Sequence, residues 1–188
     1  IDIYDEIVYL TLVISIADEI EKMRINKSKD RVFSYRFGSF KGKLFDSKFH
    51  YTAFKQKTLE KSQYTKNKVI VECDISNFYD RLNIHRIESI LRSNSNIDES
   101  IISLINELLL YWANRDSYGL PVGSNASRIL AEVALIEVDN YLISKGIDFC
   151  RFVDDYRIFA KNAFEAHSNL AWLTLKLSKE GMFLNTQK

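Results

Sequence analysis

The chain has 188 residues, enough for one substantial core and a smaller lobe, and it is 46% hydrophobic and 13% aromatic. No apolar run reaches the ~18 residues of a membrane span, and Cys73 and Cys150 lie outside any C-x-x-C pair or zinc-ligand spacing, so a membrane span, a zinc site and a disulfide scaffold are set aside and buried thiols in a cytoplasmic protein are expected. The net charge of +1 conceals an asymmetry, because residues 22–68 carry 14 Lys and Arg against three acids, a net +11, while the remainder is −10; the basic stretch calls for a polyanionic or phosphate-bearing partner.

The chain starts with Ile rather than Met, which suggests a fragment, and no basic leader precedes the first helix. A single Pro and six Gly predict long regular elements. Residues 2–25 read as an amphipathic helix, with Ile3, Ile7, Leu10, Ile14, Ala17 and Ile20 at three- and four-residue steps. Residues 31–68 show no helical period and are expected to form short strands and loops. Basic positions there interleave with Phe33, Tyr35, Phe37, Phe40, Phe45, Phe49, Tyr51, Phe54 and Tyr64. That pattern suits backbone tracking with base stacking; a solvated lysine face over a small aromatic core is the alternative.

Residues 68–75 alternate as a strand ending on Asp74, which faces away from the row Val69, Val71, Cys73, Ile75. A helix follows over 83–92. Asp98 should cap another, whose apolar stripe runs from Ile101 to Trp112. Tyr118 to Gly123 is the one Gly/Pro turn cluster. Ser124 or Asn125 caps a helix over 126–144 that Gly146 stops. A strand over 147–153, a tight turn at Asp154-Asp155 and a strand over 156–160 predict a hairpin. Asn162 caps a helix over 163–180 that Gly181 ends, and 182–185 is a candidate last strand. The order from residue 68 predicts an α+β fold of split βαβ type, an antiparallel hairpin at the centre of a helix-backed sheet. The division expected is 1–67 for the N-terminal helix and basic lobe, and 68–188 for the sheet unit.

The carboxylates carry the chemistry. If the hairpin pairs beside the Asp74 strand, Asp74, Asp154 and Asp155 converge at one sheet end. Clustered carboxylates repel one another and are costly to desolvate. A hard divalent cation removes that cost, and Mg²⁺ takes oxygens from one or two carboxylates plus substrate phosphates. Two such ions about 3.5–4 Å apart activate a 3′-hydroxyl and stabilise a leaving pyrophosphate. His50, His85 and His167 are scattered, and the serines have no partners for nucleophilic catalysis.

These residues resemble a known family. Cys73-Asp74-Ile75-Ser76-Asn77-Phe78-Tyr79-Asp80 resembles motif A of reverse transcriptases, and Gly119-Leu120-Pro121-Val122-Gly123-Ser124-Asn125-Ala126-Ser127 resembles motif B. Phe152-Val153-Asp154-Asp155 resembles motif C and Gly181 to Lys188 motif D. Order and spacing also match, over residues 30–188. The resemblance implies the fingers (within 1–67) and palm (68–188) of a right-hand polymerase, with no thumb following Lys188. It implies an RNA-directed DNA polymerase that extends a 3′-hydroxyl with dNTPs on a nucleic-acid template and primer, using two Mg²⁺ ions, with Mn²⁺ as a substitute. Asp74 and Asp154 would be metal ligands, Asp155 the accessory acid, and the Ile75 carbonyl a further metal contact. Tyr79 falls at the steric gate against the sugar 2′ position. Gly119, Pro121 and Gly123 would approach the templating pair and incoming base, and Lys188 would protonate pyrophosphate. Arg36 is the candidate to grip the triphosphate, because a guanidinium fork suits phosphate oxygens; nearby lysines are rivals.

Tyr118 and Val122 stand where intron and retroviral enzymes usually keep Gln in or beside motif B. The run Ser127-Arg128-x-x-Ala131-Glu132 resembles abortive-infection and related defence enzymes, some of which make DNA without a template or prime on protein. Phage defence and template-independent synthesis therefore stand beside the main reading. A catalytically silent nucleic-acid-binding module is a further alternative, opposed by the intact acids, and a nucleotide cyclase lacks its Gly-Gly-acidic turn.

Overall fold

The computed structural model describes residues 2–40 and 42–185. Helix α1 (Ile3–Met23) starts at Asp2, whose carboxylate accepts from the Tyr4 amide, and carries Asp5 and Glu6 in its first turn, where acids suit the helix dipole. Its inner face of Tyr9, Val13, Ile16, Ala17 and Ile20 enters the main core. Strands β1 (Phe37–Phe40) and β2 (Lys43–Phe45) form a small antiparallel ribbon.

Residues 51–62 differ from the sequence expectation, because Tyr51–Ser62 is a helix, α2, capped by His50. Its period was hidden because its buried side holds only Phe54 and the aliphatic stem of Lys61, whose ammonium reaches Asp148 at 2.6 Å. Phe54 joins Phe33, Cys150 and Phe159 in a second, smaller core.

Strand β3 (Val69–Asp74) leads into a single turn of helix, α3 (Phe78–Arg81), then α4 (Ile84–Arg92) and α5 (Glu99–Trp112). Asn83 and Asp98 cap the last two with their side chains. Ser124 caps α6 (Asn125–Ala134), and α7 (Ile136–Ser144) follows after a break at Leu135, so the predicted continuous helix is two. Gly146, at φ +69°, ends α7 with the paired bonds Gly146 N–H to Ile143 and Ile147 N–H to Leu142.

Strands β4 (Asp148–Phe152) and β5 (Asp155–Ala160) form the hairpin, and α8 (Ala163–Lys179) starts at Asn162. The register pairs Phe152 with Asp155. The two-residue turn is therefore Val153-Asp154, and Asp155 is already the first residue of β5, a one-residue correction to the expected turn. The sheet order is β3-β5-β4, all antiparallel. Single bridges from Leu184 to Ile75 and from Val32 to Arg151 extend it on both sides, so the expected last strand is reduced to one bridge among the described residues. One sheet face packs on the helices through Ile75, Phe149, Tyr156 and Ile158, and the mixture of helices with small antiparallel sheets is an α+β fold.

Candidate active site

The sheet register assembles the acids. Asp74 lies directly opposite Asp155 in the β3–β5 pair, and opposed residues project from the same face with Cβ atoms about 4.5–5.5 Å apart. Asp154 precedes Asp155 in the turn, and its carbonyl accepts the Ile75 amide at 3.2 Å. The three predicted carboxylates thus share one sheet end, and Asp74 and Asp155 lie on the face opposite the main core, the face that α2 covers in part through Phe54. Asn185 reaches back to the same place: its amide donates to the Asp74 carbonyl at 2.9 Å and its side chain to Asp74 Oδ2 at 3.3 Å.

Arg157 lies on that face two residues beyond Asp155. Its Nε is 3.4 Å from Glu72, its Nη1 is 3.8 Å from Asp155, and its guanidinium covers the Phe54 ring at 5.5 Å. Cys73 points to the other face, where burial pushes its thiol up to about 12 despite Arg157 nearby. It stays protonated and supplies no thiolate ligand.

The donor set is therefore all oxygen, which suits a hard divalent cation. Among the described residues no three His, Cys, Asp or Glu side chains are arranged to hold one ion by themselves. The fit is to the open kind of Mg²⁺ site, in which one or two carboxylates share the ion with water and substrate phosphates.

Beside the acids stands an aromatic pair. Asn77, in the left-handed region at φ +48°, turns the chain from the end of β3 into α3, which carries Tyr79. The Tyr79 side chain lies close to Tyr35, and burial, with Tyr35 and Glu132 close by, pushes the Tyr79 hydroxyl well above the phenol range. Asp154 lies within electrostatic range of both rings. The Tyr35 ring in turn packs 6.2 Å from Phe152 and under the Arg128 guanidinium at 5.3 Å.

The Gly119–Gly123 turn is fastened to the same helix. The Leu120 amide donates to the Tyr79 carbonyl at 3.1 Å and the Gly119 amide to Leu82 at 2.9 Å. Gly119 and Gly123 hold φ +96° and +99°, values that an L side chain strains to adopt. Pro121 lies between them in the turn.

Arg36 is a correction. It is 1% exposed, its Nη2 lies 2.5 Å from Glu21 and donates to the Ile25 carbonyl at 2.7 Å, and its guanidinium covers Phe49 at 5.7 Å. Burial, with Arg24 close by, lowers its pKa to about 10. It is a framework cation that faces α1 rather than a triphosphate. Lys188, the expected proton donor, lies outside the described residues.

The sequence reading missed Tyr35, Arg128, Arg157 and Asn185 as neighbours of the site. Arg157 could have been found from its i+2 spacing to Asp155, which places both on one face of a strand. Tyr35 and Arg128 meet Tyr79 through long-range packing, for which no local signal exists.

Carboxylates at the end of an antiparallel sheet, in an α+β domain, suit a class that works on phosphate-bearing substrates through oxygen-ligated cations. Residues 14–188 match the family model of reverse transcriptases, RNA-dependent DNA polymerases, and the chain belongs to that family. Its activity class is accordingly nucleotidyl transfer, with nucleic acid and dNTPs as partners. No curated protein matches the chain. None of the described helices is long and apolar enough to cross a membrane.

Proposed function

We propose that the chain carries the fingers (within residues 1–67) and palm (68–188) of an RNA-directed DNA polymerase that joins dNTPs to a 3′-hydroxyl. The observation that carries this reading is the Asp74–Asp155 pairing, with Asp154 hooked to Ile75 beside it.

Asp74 and Asp154 would hold Mg²⁺ or Mn²⁺ with the Ile75 carbonyl, and Asp155 is the accessory acid. When bound, the ions supply Lewis acidity at the attacking and leaving oxygens. The chain's own residues do the positioning. Tyr79, braced by Tyr35, closes against the 2′ position of the sugar and favours deoxynucleotides. The Gly119–Gly123 turn, tied to the Tyr79 backbone, brings main chain close to the base pair being formed. Arg128, over the Tyr35 ring, replaces Arg36 as the candidate guanidinium for the triphosphate, and Lys43 on β2 is an exposed cation of the basic ribbon. Lys188 remains the candidate proton donor to pyrophosphate. The Ser127-Arg128-x-x-Ala131-Glu132 run supports a defence-associated member.

Primer extension on an RNA template with Mg²⁺ and dNTPs tests the site. The parent chain should incorporate deoxynucleotides and Asp154→Ala should not; equal rates would remove the proposed centre. Sequencing the product strand separates copying from untemplated synthesis.

A further inference from the structure

The turn that carries Asp154 is built against the preference of its own sequence. Val153 holds φ +57°, a region that β-branched residues avoid because Cβ crowds the backbone carbonyl. Such a conformation persists only where the surroundings over-determine it.

Two backbone pins do so here. The Ile75 amide holds the Asp154 carbonyl at 3.2 Å. On the other side Arg151 Nη1 donates to the Val153 carbonyl at 2.8 Å. Arg151 is 0% exposed, a guanidinium wholly within the core. Asp139 accepts from its Nε at 2.9 Å and its Nη2 at 2.6 Å, and Glu132 accepts from Nη2 at 2.9 Å and Nη1 at 3.3 Å. Two carboxylates on a rigid planar fork leave one orientation, and in that orientation the remaining donor direction points at Val153. Glu132 is fixed in turn by Arg24 at 2.6 Å and the Ser34 hydroxyl at 2.5 Å, and Asp139 by the Tyr156 hydroxyl at 3.2 Å.

Fold stability alone does not call for this arrangement, since well-packed apolar groups replace buried ion pairs with little loss. An apolar group cannot donate to the Val153 carbonyl. We propose that Arg151 is a positioning residue for Asp154: through the Val153 carbonyl it holds the strained turn in the one conformation that presents the Asp154 carboxylate toward Asp74. The inference rests on the polymerase reading of the acids.

The test measures Mn²⁺ binding to the chain by electron paramagnetic resonance, without nucleotide, beside single-nucleotide incorporation. Arg151→Lys keeps the charge that Glu132 and Asp139 require, but its donors radiate from one nitrogen and lack the spread over Nε, Nη1 and Nη2 that reaches both acids and the Val153 carbonyl. Its Mn²⁺ dissociation constant should rise about 10- to 100-fold, the range for groups that orient metal ligands. Its kcat should fall while KM for dNTP stays within about twofold, since ground-state nucleotide contacts are untouched. Adding Val153→Gly should then restore much of the lost affinity, because glycine adopts the positive φ without help. A purely structural role predicts the opposite, since that change deletes a side chain only 7% exposed.

Folded Arg151→Lys that binds Mn²⁺ like the parent, or a double variant with no recovery, overturns the proposal. If Arg151→Lys does not fold, Asp139→Asn decides: it loosens one side of the fork and should raise the dissociation constant at least about threefold in a folded protein, and no change overturns the proposal. Asp154→Ala is the reference. If it binds Mn²⁺ like the parent, the metal-site reading fails; if only Asp154→Ala loses the ion, the positioning role alone fails.

Discussion

Glu132→Gln isolates what the buried network contributes to stability. Glu132 is 1% exposed on α6 and accepts from four donors: Arg24 Nη2, the Ser34 hydroxyl, and Arg151 Nη1 and Nη2. Glutamine keeps the shape but removes the charge and turns an NH₂ toward groups that also donate. Two guanidiniums then remain buried with one acceptor oxygen fewer. Breaking one partner of a buried ion pair costs about 3–5 kcal/mol, a large share of the roughly 5–15 kcal/mol that holds a domain folded. For a chain of this size the melting temperature should fall about 6–20 °C, at about 2–4 °C per kcal/mol. Urea titration should show a lower midpoint with an unchanged slope. Glu137→Gln is the control, because its carboxylate is 43% exposed and pairs with Arg86 and Lys176 in solvent; it should cost under about 1 kcal/mol. Burial by itself would raise the Glu132 carboxyl, but Arg151 and Arg24 hold it below its ordinary 4.5. Its contribution is therefore fully present above pH 4.5 and lost as pH falls through the depressed value. The gap between parent and variant should be flat near neutrality and shrink in acid. A loss at pH 7 below about 1 kcal/mol, or a gap that widens in acid, would refute the network's role.

Tyr79→Val should raise ribonucleotide incorporation relative to deoxynucleotide by about 10-fold or more, the scale set by one lost steric contact; unchanged sugar preference in competition assays removes the gate. Gly123→Ala places a Cβ at φ +99° with no atom within 4 Å to clash, so its cost is backbone strain alone, about 1–3 kcal/mol in urea unfolding; no loss would mean that the turn relaxes freely. Burial pushes the Cys73 thiol up to about 12 and Cys150 to about 11. Both should resist alkylation at pH 8 until urea is added, and the stability they contribute should be present below pH 9.0 and lost as pH rises toward those values. Fast labelling of Cys150 in the native chain would contradict its burial.

What could be read in advance followed from local chemistry. Asp98, Ser124 and Asn162 cap the helices they were expected to cap, because capping is decided within three residues. The alternation of Val69 to Ile75 put Asp74 on the correct face, and hairpin register then brought Asp155 opposite it. Helix α2 was illegible because Lys61 occupies part of its inner face, and a cation there erases the apolar period while Asp148 satisfies it. Arg36 failed for the converse reason. Its neighbours in sequence are basic and aromatic, but the carboxylate it serves is Glu21, on a different element. Charge in the sequence shows that a partner is required; only the fold shows whether the partner is a ligand or another side chain.

The run Ser127-Arg128-x-x-Ala131-Glu132 sharpens that distinction. Read as sequence, it resembles abortive-infection and related defence enzymes. In the fold Ser127 contacts the Tyr9 hydroxyl at 3.2 Å on α1, Arg128 covers Tyr35, and Glu132 joins Arg24, Ser34 and Arg151. One helix face thus touches the N-terminal helix, the Ser34–Tyr35 loop and the β4–β5 hairpin at once. A substitution there moves three elements together, which constrains those residue types even where they meet no substrate. Arg128 alone among them keeps a partly exposed guanidinium beside the Tyr35–Tyr79 pair, so of the three it is the one whose chemistry can extend to a bound nucleotide.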